Sequence, residues 1–322
     1  MSNHSRGSSG DRGRRSREGS PRSGDPAREG GPARAGGQRG GGQRGGGQRG
    51  APRSGASRGD ARAGSHEPPR RGLLEERIVG GLHPVRELLR SDHDVTRLLV
   101  ATSRDPVLVL DEILALASER RIPVERVDRA RLDALSDGLV HQGVVALAPP
   151  FPHAALDDVL AAAEAAGEAA LLVALDGVTD PHNLGSIART AEAVGAHALL
   201  VPERRAAGIT PAAEKSAAGA LAHLPVVQVG NLARTLRELH GRGIWSIGLD
   251  GDAEVELDDH PLAAEPCVLV VGAEGAGLAR LTRERCDALV KLPMRGRVGS
   301  LNASVAAAVA LYTLLRRRAQ PT

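Results

Sequence analysis

Leu171-Leu172-Val173-Ala174-Leu175-Asp176-Gly177-Val178-Thr179-Asp180-Pro181-His182-Asn183-Leu184-Gly185-Ser186-Ile187-Ala188-Arg189 decides the fold of this chain. Its first five residues are continuously apolar, the composition of a parallel strand covered on both faces. A turn rich in Asp, Gly and Pro follows, and helical spacing begins at Asn183, which stands where an N-cap residue would stand. A strand that feeds a helix in this way predicts an α/β fold, and the sequence downstream repeats the pattern. Strands are expected at 197–201, 226–229, 244–249, 267–271 and 288–292. Helices are expected at 183–194, 212–221 and 232–240, with a short one after the glycine-rich turn near 275 and a terminal one at 302–318. Strands alternating with helices imply a parallel sheet with helices on both faces, and the ligands of such sheets lie at the carboxyl ends of the strands.

Upstream, the spacing predicts a helix at 81–90, a strand at 97–101, a helix at 107–121 and strands at 123–127 and 143–147. This is a small α/β unit over 77–150, closed by Pro149-Pro150 and a polar, Ala-rich stretch that reads as a linker. The larger parallel-sheet unit is expected over 165–320. Residues 1–72 differ from both. Between Ser2 and Gly72 there is no Val, Ile, Leu, Phe, Tyr or Trp, and the stretch holds 20 of the chain's 40 glycines. Such a segment cannot offset its chain entropy by burial, so a disordered Arg/Gly-rich tail is expected. It carries 16 arginines against 6 acidic residues, while the remaining 250 residues carry 26 basic side chains against 33 acidic ones. A basic tail on an acidic body suits contact with a polyanion.

Several function classes drop out. No apolar run reaches the roughly 20 residues needed to span a bilayer. Cys267 and Cys286 are the only cysteines, too few for a disulfide framework or an all-cysteine metal site, which points to the cytoplasm and to no metal. Phe151, Trp245 and Tyr312 are the only aromatic residues apart from histidines, so base-stacking platforms are not expected.

Three segments carry the candidate chemistry. In the first, Gly185 and Arg189 stand four residues apart on one helix face, and the absent side chain at Gly185 leaves room for a ligand beside Arg189. The second is Gly272-Ala273-Glu274-Gly275-Ala276-Gly277-Leu278, after an apolar strand. Its glycines follow neither the dinucleotide fingerprint nor the P-loop, which leaves a tight turn that lets backbone approach a flat ligand. The third is Leu292-Pro293-Met294-Arg295-Gly296-Arg297-Val298-Gly299-Ser300-Leu301-Asn302-Ala303-Ser304. Ser300 or Asn302 can cap the last helix, whose Ala303, Ala306, Ala307, Ala308 and Ala310 offer small surfaces for close approach of a ligand or a second chain.

Together these segments resemble the three signature motifs of the SpoU/TrmH family of SPOUT methyltransferases: N-x-G-x-x-x-R, then G-x-E-x-x-G-L, then P-M followed by S-L-N-x-S. The likeness covers about residues 171–318. Ile78-Val79-Gly80-Gly81-Leu82-His83-Pro84-Val85-Arg86-Glu87 with His141-Gln142-Gly143 looks like the family's L30e-like substrate-binding domain. The resemblance implies a trefoil knot near the C-terminus, S-adenosylmethionine as cofactor, and a homodimer with sites shared between subunits. Carried over by position, Gly272, Leu292 and Leu301 are implied as cofactor contacts, and Asn183, Arg189, Glu274, Ser300 and Asn302 as the catalytic set. The implied reaction is 2′-O-methylation of RNA, with a guanosine of the peptidyl-transferase region of 23S ribosomal RNA favoured. A tRNA target, another ribosomal site and a non-catalytic ribosome-assembly role stay open. Arginine stays cationic in proteins, so Arg189 fits a role in holding phosphate and stabilising a developing alkoxide better than that of base.

Overall fold

The computed structural model describes residues 76–103, 107–136, 138–204 and 206–319. The tail expected over 1–72 lies outside the described residues.

The first unit comprises β1 (Arg77–Gly80), α1 (Leu82–Arg90), β2 (Arg97–Ala101), α2 (Leu108–Glu119), β3 (Val124–Val127), α3 (Arg129–Ser136) and β4 (Val144–Ala148). The sheet order is β1-β4-β2-β3, with β4 antiparallel to both neighbours and β2 parallel to β3. Alternation along the strands makes two cores. Leu98, Val100, Val144 and Ala146 pack under α1 and α2, while Leu99, Val145 and Leu147 pack under Leu132 of α3. The Arg120 guanidinium donates to the carbonyls of Leu89 at 3.0 Å and Ser91 at 2.8 Å, serving carbonyls that the end of α1 leaves without helical partners.

The stretch read as a linker after Pro149-Pro150 instead contains α4 (Leu156–Ala166). Leu156, Val159, Leu160 and Ala163 fall on one helical stripe and pack on the second unit's sheet. Gly167, with φ +68°, ends the helix in the left-handed conformation.

The second unit continues through β5 (Leu171–Asp176), α5 (Pro181–Ala193), β6 (Ala198–Pro202), α6 (Pro211–Ala217), β7 (Val226–Val229), α7 (Leu232–His240), β8 (Trp245–Leu249), β9 (Val255–Glu256), β10 (Cys267–Gly272), α8 (Arg280–Arg285), β11 (Ala288–Lys291) and α9 (Ala303–Arg318). All seven strands are parallel, in the order β7-β6-β5-β10-β8-β11-β9. One face of the sheet buries Val173, Leu199, Leu269 and Val271 against α5, α6 and α9. The other buries Leu172, Leu200, Val268 and Val270 against α4 and α7. Two-sided cover of this kind is why the central strands read as unbroken apolar runs.

One surface expectation changes. Ala303, Ala307 and Ala310 of α9 are buried against the chain's own core, while Ala306 and Ala308 are half-buried, so the helix offers no continuous small-residue face to a second chain. The exposed face of α9 carries Val305, Val309 and Tyr312, each 44–49% accessible.

Candidate active site

Because every strand of the large sheet runs the same way, the turns after β5, β8, β10 and β11 meet at one edge. Asp176 at the end of β5 pairs in register with Gly272 at the end of β10. Strand order reverses between these two strands, which makes their carboxyl ends the topological switch point.

A cavity of about 410 Å³ opens there, walled by the turns after β8, β10 and β11 and by the first turn of α9. Gly272, Leu292 and Leu301 all line it, as do Glu274 and Ser300. Its size lies within the range of small-molecule sites, and its walls mix apolar side chains with backbone. The wall after β10 depends on glycine. A Cβ on Gly272 would lie 2.3 Å from the Gly277 carbonyl carbon, because residues 273–277 fold straight back over it. Paired hydrogen bonds between Ala273 and Gly277, at 3.0 and 2.8 Å, lock the turn, while Gly275 and Gly277 take positive φ. Asp176 then accepts from the Ala279 N–H at 2.6 Å, anchoring the chain where α8 begins.

Three polar side chains converge beside this cavity. Asn183, 5% accessible, donates through Nδ2 to Glu274 Oε2 at 3.3 Å. Asn302 Nδ2 donates to Asn183 Oδ1 at 3.0 Å and approaches Glu274 Oε2 at 3.5 Å. Asn302 Oδ1 caps α9, accepting from the Ser304 N–H at 2.9 Å and the Val305 N–H at 3.3 Å. Each amide is thus oriented by its other end, so the three motifs form one hydrogen-bonded unit. Asn183 itself is not the cap of α5. Asp180 takes that place, accepting from the His182 N–H at 2.9 Å, and Pro181 occupies the first turn, where a missing N–H costs nothing. This frees the Asn183 side chain to reach Glu274.

Arg189 and Gly185 depart from the expected arrangement. A Cβ on Gly185 would lie 2.4 Å from the Ala213 carbonyl oxygen and 2.9 Å from the Ala217 N–H nitrogen, so the missing side chain admits α6 and not a ligand. Six residues separate Asn183 from Arg189, about 120° around a helix of 3.6 residues per turn. Arg189 is exposed and lines a different niche, with His83, Arg86 and Glu87 of α1, Glu192 of α5 and His223. Within one chain, the cavity gathers Glu274 and Ser300 beside Asn183 and Asn302, but not Arg189.

Likeness to known proteins gives the family. Residues 170–312 match the model of the SpoU rRNA methylase family, and residues 78–154 match that of the RNA 2′-O ribose methyltransferase substrate-binding domain. The chain belongs to the SpoU family. It is 47% identical over 244 residues to the 23S rRNA (guanosine-2′-O-)-methyltransferase RlmB of Pseudomonas syringae, covering 74% of this chain and 95% of that protein. It is 44% identical over 240 residues to the putative TrmH family tRNA/rRNA methyltransferase YacO of Bacillus subtilis, with the same coverages. The SpoU methyltransferase AviRb from Streptomyces viridochromogenes, solved in complex with AdoMet, superposes with a TM-score of 0.63 at 30% identity, over 76% of this chain and 90% of that one. This SpoU chain is an RNA methyltransferase, and its cofactor is S-adenosylmethionine.

The cavity suits that cofactor. Leu249, Leu292 and Leu301 offer apolar cover for a flat base, and the turn over Gly272 leaves backbone against it. The Glu274 carboxylate adds a negative group to the cavity wall, of the sign that suits a cationic ligand. Two cavity residues were missed from sequence, Asp250 and Arg283, which form an ion pair at its wall. Burial pushes the Asp250 carboxyl up, but hydrogen bonds from Arg283 and the Asp252 N–H outweigh it and hold the group below the usual range. The available signal was position: Asp250 directly follows a predicted parallel strand. Among the described residues, no cluster of His, Cys, Asp and Glu could hold a metal, and no helix is long and apolar enough to cross a membrane.

Proposed function

We propose that this SpoU enzyme methylates the ribose 2′-hydroxyl of a guanosine in the peptidyl-transferase region of 23S ribosomal RNA, acting in the cytoplasm as a homodimer with sites shared between subunits. The hydrogen-bonded Asn183–Glu274–Asn302 cluster at the cavity carries the reading. The guanosine target is supported by the 47% identity to the Pseudomonas syringae enzyme, and the cytoplasm by two cysteines that stay unpaired.

The bound cofactor supplies an activated methyl group. The chain's part is to bring the ribose oxygen in line with it and to ease loss of the hydroxyl proton. Gly272, Leu292 and Leu301 hold the cofactor. Asn183, Glu274, Ser300 and Asn302 fix the polar side of the site. Arg189 holds the adjacent phosphate and stabilises negative charge as it develops on the oxygen. Since Arg189 faces away from its own chain's cavity, the arginine that serves each cavity is the partner subunit's Arg189. The apolar face at Val305, Val309 and Tyr312 supports a subunit contact along α9. The same reading includes a trefoil knot. Its support is β11, which lies between β8 and β9 although only residues 250–254 join those two strands.

The test is incubation with labelled S-adenosylmethionine and, in parallel, unmodified 23S ribosomal RNA or unmodified tRNA, followed by alkaline hydrolysis. An alkali-resistant labelled dinucleotide beginning with guanosine is expected. Label appearing only in tRNA would move the target, and label in no RNA would sink the reading.

A further inference from the structure

The motif residues Gly81 and Gln142 and the strand residue Arg77 take no part in the cavity, yet they meet one element, α6, in an arrangement costly enough to need a reason. Arg77 of β1 and Glu214 of α6 form an ion pair at 3.3 Å with side chains only 7% and 6% accessible. The Arg77 guanidinium also lies 5.0 Å from the centroid of Phe151, the chain's single phenylalanine, which packs on the core of the large sheet. The pair is imperfectly satisfied: Arg77 Nε and Glu214 Oε1 have no hydrogen-bond partner. Burial lowers the Arg77 pKa and raises that of Glu214, each only partly opposed by the other's charge. A buried pair of this quality is weak as a source of stability and is best attested as a device that fixes register.

Neighbouring contacts point the same way. Gln142 adopts φ +53°, uncommon outside glycine. That conformation accompanies an Oε1 that accepts from both the Leu82 N–H at 3.2 Å and the Lys215 ammonium at 3.2 Å. A Cβ on Gly81 would lie 2.5 Å from Lys215 Nζ, so the lysine ammonium occupies the space over this glycine, whose φ of +108° itself favours glycine. Beyond α6, Gly219 lies against Glu87, whose carboxylate faces His223 Nε2 at 3.2 Å. On its opposite side α6 seats against α5 through Gly185 and through His182 Nδ1 and Ser216 Oγ, 2.9 Å apart. α6 is therefore clamped between the substrate-binding unit and the helix that carries Asn183 and Arg189.

We propose that α6 is a positioning element, in which Glu214 and Lys215 grip Arg77 and Gln142 so that RNA held by the first unit is presented in fixed register to α5. This rests on the RNA methyltransfer reading for its consequence in catalysis. Glu214 and Lys215 touch neither cofactor nor reacting atoms, and they act through the placement of α5.

Glu214→Gln keeps the size of the side chain and removes the charge. With a long structured ribosomal RNA, kcat should fall between about tenfold and a hundredfold, the scale of a misplacement near one ångström. KM for RNA and the Kd of S-adenosylmethionine should stay within about threefold, by the same separation of positioning from binding. The charge-reversed pair Arg77→Glu with Glu214→Arg should recover most of the loss. Hydrogen exchange on the same full chain needs no substrate. In Glu214→Gln it should quicken in β1, in α6 and at residues 182–185, and stay unchanged in β5 and β10. An unchanged kcat, a loss shared equally by cofactor affinity, or uniform acceleration of exchange would each overturn the proposal. If the wild-type protein methylated no RNA, the functional reading would fall while the exchange pattern still decided whether α6 couples the two units.

Discussion

The cavity over β8, β10 and β11 is walled largely by backbone turns, whereas the niche around Arg189 is walled by side chains from α1, α5 and the turn after α6. The first kind of wall fits one ligand held in one bound conformation: glycines at 272, 275 and 277 set a contour, and one hydrogen-bonded cluster sets its polar corner. The second presents charged side chains of both signs, Arg86 ion-paired with Glu87 at 2.8 Å and Arg189 with Glu192 in the same wall, so a ligand there meets side chains and not backbone. One helix, α5, serves both, with Asn183 turned to the cavity and Arg189 to the niche. Cofactor binding and RNA handling should therefore be separable by mutation.

Arg189→Ala tests that separation most severely. Methyl transfer to RNA should fall by at least about a hundredfold, the scale of losing one electrostatic stabiliser, with little change in cofactor affinity. Single-turnover rates and isothermal titration with S-adenosylmethionine check the two halves, and near-normal turnover would remove Arg189 from the site.

Two glycine substitutions sharpen the contrast. Gly272→Ala forces the 273–277 turn outward, and overpacking of about 1–3 kcal/mol corresponds to roughly a 5- to 150-fold loss of cofactor affinity if the cost falls on the bound state. Gly185→Ala pushes α6 instead. It should depress RNA turnover while cofactor affinity changes less than about threefold, since the cavity lies on the other face of α5. Equal effects of the two on cofactor binding would show that the walls are not independent.

These pairs also show what the sequence made legible. The parallel sheet could be read because two-sided burial writes itself as apolar runs, and α7 lies at the residues expected for it, 232–240. Asn183, Glu274 and Asn302 were recognisable because they fall in the three segments that resemble the SpoU/TrmH signature motifs; the strand pattern alone marked the turns and not the residues. By contrast, α4 was hidden because its stripe is Ala-rich and follows two prolines, and β9 because two residues show no period. Gly185 was misread for a physical reason: a helical glycine admits a ligand or a neighbouring helix equally well, and spacing does not say which. Of the α9 alanines, Ala303 and Ala306 line the cavity whereas Ala307 and Ala310 pack into the core, because small residues pack inward and outward alike.

A mixed dimer tests the shared site with a smaller effect. Chains carrying Arg189→Ala and Asn302→Ala should each be inactive as homodimers. In the mixed dimer one site joins the intact Asn302 of the first chain to the intact Arg189 of the second, and the other site holds both defects. Activity should return to about half per dimer by counting sites in a symmetric assembly. With sites built within one chain, both keep a lesion and nothing returns, provided subunit exchange is confirmed separately.

The smallest expected effect belongs to residues 1–72, whose 16 arginines and 6 acidic residues contrast with the acidic remainder. Every cavity and cluster residue lies after residue 170, so truncation should leave cofactor affinity and the folded core unchanged. RNA affinity should weaken by a few fold at moderate salt, because arginines that meet phosphates release condensed counterions, and each lost contact lowers the slope of log affinity against log salt by about 0.7–0.9. The slope is the sharper measurement, since it counts contacts even where the change in affinity is small. A shallower slope in the truncated protein, with unchanged kcat, places the tail on RNA outside the reacting centre. An unchanged slope means that the tail makes no phosphate contact, and that recognition rests on the folded units alone.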